Sequence, residues 1–403
     1  MPRAQMTLVA TTVEVDDPGD LLTWLPAGEA YGFLRGGDGI VGWGVAARLQ
    51  PKAAAEVGAW LADLTVRDDV GLPGCGPVAI ASLAFDPARD RSVVVVPKVV
   101  LGRRDGRCWL TLVTPPGGVQ VPALRRRPVA AEALPPAHVA AELPPPEQWA
   151  GAVAAAVRSI RAGEMEKVVL ARAIDVVADR DLDGRAVAAR LAARFPSCFT
   201  FVCDGLVGAS PELLVRRFGR HADSLVLAGT APRGGEQELL ASAKDAHEHR
   251  LAAESVRATL AGVAADVVAE PHPQLLRLAN VSHLATRVEA WLPPDPLTAL
   301  ELAERLHPTA AVGGVPTDVA LAAIAAHEPV SRERYAAPVG WVDANGDGEF
   351  AIALRCAQLS GPTARLWAGA GIVAESEPDA EVAETTAKFD AVLAALTGAE
   401  LLV

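Results

Sequence analysis

Glu147-Gln-Trp-Ala-Gly-Ala-Val-Ala-Ala-Ala-Val-Arg-Ser-Ile-Arg-Ala-Gly163, followed shortly by Lys167-Val-Val-Leu-Ala-Arg-Ala-Ile-Asp-Val-Val-Ala178, decides the fold. The first stretch puts Trp149, Val153, Val157 and Ile160 on one helical face. The second is a dense run of Val, Leu, Ile and Ala without helical period, which reads as a buried strand. The same alternation continues C-terminally. Helices are predicted over 184–195, 237–260, 298–305, 318–327 and 379–396. Strands are predicted over 199–202, 213–217, 224–228, 281–291, 339–342, 350–359 and 364–367. Long strands interleaved with helices imply an α/β or α+β architecture with large sheets.

Toward the N-terminus, residues 1–120 read as mostly β. A hairpin is centred on Asp38-Gly39 and another on Asp105-Gly106, between strands over 92–101 and 108–114. One helix is predicted over 52–64. Pro122, Pro128, Pro135, Pro136 and Pro144 to Pro146 punctuate residues 121–146, which read as a connector. Residues 147–403 then carry the candidate chemistry.

Composition removes several function classes. The formal charge of −12, with no long basic run to offset it, argues against nucleic acid and anionic membranes as partners. Arg125-Arg126-Arg127 is a short cluster in the Pro-rich stretch and reads as solvated linker. The five cysteines are scattered without a CxxC pair, so neither a disulfide framework nor a structural zinc site is expected. No apolar run approaches the ~18 residues of a membrane span. The start of the chain lacks a signal-peptide pattern, and a cytoplasmic protein is expected.

Within residues 147–403 the carboxylates come first. Asp245 and Glu248 are three apart on a predicted helix and share a face, and Glu381 and Glu384 repeat that spacing on the last helix. Two such faces could hold a hard divalent cation such as Mg2+, which takes oxygen ligands. Spacing alone fits two solvated helix faces better. Lys167, at the entry to a buried strand, could be desolvated into a usable base or could sit at the surface. Arg355, within the apolar run 350–357, must face an anion or a structural acid, because burying an unpaired guanidinium is too costly. Lys388 could simply pair with Glu384 one turn away. Gly229, in Ala228-Gly-Thr-Ala-Pro-Arg-Gly234, could open a backbone cradle for an anion, and Gly369 could allow close approach of a ligand or serve a turn. Other patterns fail. Gly208-Ala-Ser-Pro211 lacks the second glycine of a nucleophile elbow. His247-Glu-His249 is not HExxH. Asp343-Ala-Asn-Gly-Asp-Gly348 starts like a calcium loop but has Leu354 where Glu is needed, so it reads as a hairpin turn. The glycines of 36–44 do not open a helix.

Taken in order, a set of stretches resembles the chorismate-utilising enzymes: Glu166-Lys-Val-Val-Leu-Ala-Arg172, Gly208-Ala-Ser-Pro-Glu-Leu-Leu214, Ala228-Gly-Thr-Ala-Pro-Arg-Gly234, Lys244-Asp-Ala-His-Glu-His249, Val281-Ser-His-Leu284, His307-Pro-Thr-Ala-Ala-Val-Gly-Gly-Val-Pro316, Tyr335-Ala-Ala-Pro-Val-Gly-Trp341, Leu354-Arg-Cys-Ala357, Ala368-Gly-Ala-Gly-Ile-Val373 and Glu381-Val-Ala-Glu-Thr385. The resemblance covers roughly residues 147–397, while the first 145 or so are similar only in general character. It implies one α/β domain with two large, mostly antiparallel sheets flanked by helices and an active site deep between them. It implies chorismate as substrate and Mg2+ as cofactor, with Glu248 and Glu384 as metal ligands and Asp245 and Glu381 as their neighbours. Lys167 matches the lysine that activates water in the isochorismate branch, and Glu212 matches the acid that protonates the leaving hydroxyl. Such an acid should be raised by burial and nearby negative charge. Gly229, Thr230, His283, Tyr335, Arg355, Gly369 and Lys388 match positions that surround the substrate. Ala311 stands where pyruvate-eliminating relatives tend to carry threonine. The resemblance thus points to an isochorismate synthase serving menaquinone or siderophore formation, without an obligatory glutaminase partner. Salicylate synthase and the ammonia-dependent anthranilate or aminodeoxychorismate synthases are the alternatives.

Overall fold

The computed structural model describes residues 8–117, 126, 134–278 and 281–397. Among these, 21 strands join in one hydrogen-bonded network, with eight α-helices packed on it. Every strand pairing is antiparallel except Val9–Val15 against Thr65–Asp68. Where the resemblance implies two sheets, the described strands form two arms of one network. Val93–Arg104 bridges the arms, pairing along one edge with Asp38–Leu49 and, at its start, with Val78–Ser82 on the other edge.

From Asp38–Leu49 the first arm runs through Ala30–Arg35, Phe199–Cys203, Leu206–Ser210, Cys356–Ser360 and Thr363–Ile372 to Lys167–Ala178. From Val78–Ser82 the second runs through Pro338–Asp343, Gly348–Ile352, Leu213–Phe218 and His221–Pro232 to Val281–Trp291. One core joins both arms, with Phe201 and Leu206 of the first and Val339 and Phe350 of the second fully buried. The helix Pro146–Arg161 buries Trp149, Val153, Val157 and Ile160 into it, the face its spacing dictates. Each such Val or Ile contributes about 1.5–3 kcal/mol. A second core gathers Leu191 and Phe195 with Phe389, Leu393 and Leu366.

Several segments differ from expectation, and the short strands Leu206–Ser210, Asp266–Ala269 and Gln274–Arg277 had no counterpart in the sequence reading. Residues 121–125 and 127–133 of the predicted connector lie outside the described residues, but its end is a strand, Ala137–Leu143, on the edge of Lys167–Ala178. His138, Val139, Ala140 and Glu142 are exposed, so no apolar alternation marked this strand. The predicted helix over 237–260 breaks at Ser242, whose hydroxyl caps Ala243–Ala261 by accepting from Asp245 N at 3.1 Å. The predicted strand over 350–359 is two strands, one in each arm, with a crossing at 353–355. The calcium-like run is a hairpin turn, with Asp343 Oδ1 accepting from Asn345 N at 2.8 Å and Asp347 N at 3.0 Å. Among the described residues no helix is long and apolar enough to cross a membrane.

Candidate active site

The chain passes from one arm to the other at Pro211-Glu212 and again at 353–355, and each crossing carries a charged residue. The two crossings brace each other. Ile352 N donates to Glu212 O at 3.2 Å, and Ala209 N donates to Arg355 O at 3.1 Å. Arg355 adopts φ +48°, a left-handed conformation at the end of the crossing, just before the strand Cys356–Ser360. Glu212 and Arg355 thereby line a cleft of about 790 Å3, counting its mouth.

Glu212 is 4% exposed. Burial pushes its carboxyl up to about 8, against the Leu227 amide at 3.4 Å and the positive charges of Lys167 and Lys388. Only the burial half of the sequence expectation holds, since the nearest charges are positive. Glu212 therefore holds a proton at neutral pH.

Arg355 Nη2 donates to His283 Nε2 at 2.9 Å. His283 Nδ1 must then carry the ring proton, and it faces Thr230 Oγ1 at 3.0 Å and Gly229 O at 3.3 Å. Burial and the charges of Arg355 and Lys388 hold His283 well below its usual pKa, and so neutral. The whole chain of groups lines the cleft. Gly229 (φ +76°) sits at a bulge between Ala228 and Thr230, where an added Cβ would stand 3.1 Å from Asp245 Cβ. Arg355 Nη1 is buried without a hydrogen-bond partner. A guanidinium half-satisfied in this way fits an anionic ligand.

Lys167 is fully buried. Its Nζ lies 3.1 Å from Glu248 Oε1, yet makes no hydrogen bond with the protein, so the contact is ionic only. Glu248 and Gly371 line the cleft, and Lys167 stands directly behind them. A Cβ at Gly371 would come within 2.0 Å of Glu248 Oε1 and 3.1 Å of Lys167 Cε. Glu384, Lys388 and Gly369 also line the cleft, with Lys388 Nζ donating to Glu384 Oε1 at 2.6 Å and to Gly369 O at 2.8 Å. The simple helix pair read from sequence is thus present, inside the site. Ala311 and Tyr335 complete the wall, and Tyr335 stacks on Trp367 at 6.0 Å.

Asp245 and Glu381 stand outside the lining. Glu381 is 1% exposed and accepts from Lys244 Nζ at 2.6 Å. Asp245 and Glu381 are both raised, first by burial and then by neighbouring carboxylates, Glu248 and Glu384 for Asp245 and Glu384 for Glu381. The four acids therefore converge, although no three acidic, His or Cys side chains among the described residues form a ready cage for a metal. Magnesium does not need one, because it usually takes one or two carboxylates and fills its remaining positions with waters and substrate oxygens. The all-oxygen donors of Glu248 and Glu384, on one cleft, fit that ion.

Residues to which the sequence reading gave no role support these groups. His249 is buried beside Glu248, with Nδ1 donating to Ala228 O at 3.2 Å and Nε2 facing Thr286 Oγ1 at 2.7 Å. Lys244 neutralises Glu381, and Trp367 backs Tyr335. His249 and Lys244 directly flank the acidic pair in sequence, which was the available signal. Trp367 had none.

The model of the chorismate binding enzyme family matches residues 36–397. A Mycobacterium tuberculosis protein assigned as isochorismate synthase MenF is 39% identical over 346 residues, 80% of this chain and 87% of that one. Isochorismate synthase DhbC of Bacillus subtilis is 37% identical over 273 residues, 63% of this chain and 69% of that one. The solved structure of the menaquinone-specific isochorismate synthase MenF from Escherichia coli superposes with a TM-score of 0.81 at 27% identity, covering 96% of this chain and 94% of that one. A cleft at the crossings of two antiparallel arms, edged by paired acids and basic groups, and a match over nearly the whole chain lead to one conclusion: this protein belongs to the chorismate-binding enzyme family.

Proposed function

We propose that this protein is a magnesium-dependent isochorismate synthase, converting chorismate to isochorismate by attack of water on the ring with loss of the ring hydroxyl. The observation that carries the reading is Glu212, a buried carboxyl that keeps its proton at neutral pH on the same cleft as the Lys167–Glu248 pair. Protonated Glu212 donates to the departing hydroxyl, which leaves as water. Lys167 Nζ, which makes no hydrogen bond with the protein, takes a proton from the incoming water as its oxygen bonds to the ring, and the ring double bonds shift. One water enters and one leaves, so the product is an isomer.

Chorismate carries two carboxylates. Arg355 Nη1, Lys388 and the Gly229–Thr230 turn offer donors for them, and neutral His283 keeps Arg355 aimed. Magnesium held by Glu248 and Glu384 would supply further positive charge for a substrate carboxylate. The assay is chromatography of products from chorismate and Mg2+, with and without ammonium. Isochorismate alone, in both conditions, is the expected outcome. Salicylate with pyruvate, or turnover only with ammonium, would replace this reading with one of the two alternatives.

A further inference from the structure

One edge of Lys167–Ala178 is fully paired with Thr363–Ile372, but the other is paired in pieces. Gly314 and Val315 cover Val168 and Lys167, and Leu143–Ala137 covers Ala173–Ala178. Between these pieces two side chains take the place of a strand. Glu328 Oε1 accepts from Ala171 N at 2.8 Å, and Arg332 Nη2 donates to Val169 O at 2.7 Å. Arg332 also donates from Nη1 to Val312 O at 2.8 Å, and from Nε and Nη2 to the Glu328 carboxylate at 2.9 and 2.5 Å. Its own carbonyl accepts from Tyr335 N at 2.8 Å. The guanidinium is 3% exposed and lies over the Phe85 ring at 4.3 Å. Val169, Val312 and Tyr335 come from three separate segments, and all three line the cleft. Val169 N also donates to Gly313 O at 2.8 Å, and Arg332 joins that backbone contact to the turn that carries Tyr335.

We propose that Arg332, clamped by Glu328, is a positioning residue for the reaction. It fixes the strand that carries Lys167 against the loop that carries Ala311 and against Tyr335, and so sets the width of the cleft at the attacking side. Only a planar fork can reach two carbonyls and a carboxylate at once, and an ammonium cannot hold that geometry. Arg332 touches neither the cleft space nor any of the acids assigned to the metal, so its effect passes through the walls. The inference rests on the reading of the cleft as the place where chorismate reacts.

The test is steady-state kinetics with chorismate and Mg2+ on wild type, Arg332→Lys and Glu328→Gln, each held well below its own melting temperature and verified as native by circular dichroism. A shifted wall misaligns reacting groups, so Arg332→Lys should lower kcat about 10- to 100-fold while KM changes less than about threefold. Glu328→Gln keeps an acceptor for Ala171 N but loses half the fork, and should lower kcat by a smaller factor in the same pattern. It also keeps the test open if Arg332→Lys does not fold. Native variants with kcat within twofold of wild type, or with a raised KM and unchanged kcat, would overturn the proposal. A wild type that makes no isochorismate at all would overturn the functional reading beneath it, which is a different result.

Discussion

A carboxyl that titrates at about 8 when folded and near 4.5 when free makes two pH dependences at the scale of one residue. As an acid, Glu212 acts only while protonated, so turnover should fall as pH rises through about 8. For stability, the folded state keeps a proton that the unfolded chain has lost between those values, so stability falls across that window. Glu212→Gln removes this titration. Its melting temperature relative to wild type should rise from pH 5 to pH 9, by scanning fluorimetry, while turnover drops about 10²–10⁴-fold. An equal difference in melting temperature at both pH values would contradict the burial argument. Lys167→Met should lose turnover by a similar factor, because the amine proposed to take the water's proton is gone. The residues alone gave Lys167 and Arg355 as candidates, since each is a charge in an apolar run. Glu212 came only from its motif, because the desolvation that matters is made by a crossing between arms that no local pattern encodes.

At the scale of elements, the helices Ala243–Ala261 and Pro378–Thr397 aim four acids at one region, and three lysines answer them. Lys244→Met leaves Glu381 buried without a counter-charge beside Glu384, with the Ser376 hydroxyl as its remaining partner. It should cost about 1–3 kcal/mol in urea unfolding, and a loss under about 0.5 kcal/mol would show the pair to be idle. Gly371→Ala tests the strand beneath. Its methyl would occupy the place of the Glu248 carboxylate, so the Mg2+ concentration needed for half-maximal activity should rise at least tenfold, whereas an unchanged value would contradict the packing. The long helices and strands of residues 147–397 were legible, whereas the short strands Leu206–Ser210, Asp266–Ala269 and Gln274–Arg277 were not. What escaped were breaks: a cap at Ser242, the left-handed Arg355, and the edge strand Ala137–Leu143, whose side chains show no apolar alternation. In each, a single residue's conformation or a distant partner overrides the local period.

At the scale of the molecule, a chain of net charge −12 gathers Lys167, Lys388 and Arg355, with the two acids proposed to hold Mg2+, around a space suited to a dianion. The order of the motifs along the chain made the family legible, while the joining of two sheets into one network through Val93–Arg104 was not, because pairing between distant strands leaves no mark on either. Chelation of the ion should abolish turnover and added Mg2+ restore it. In the proposed reaction the new ring hydroxyl comes from solvent. Running the reaction in 18O-labelled water and weighing the isochorismate by mass spectrometry tests it directly. One labelled oxygen per product molecule is expected from the first turnover, and unlabelled isochorismate would rule out attack by water.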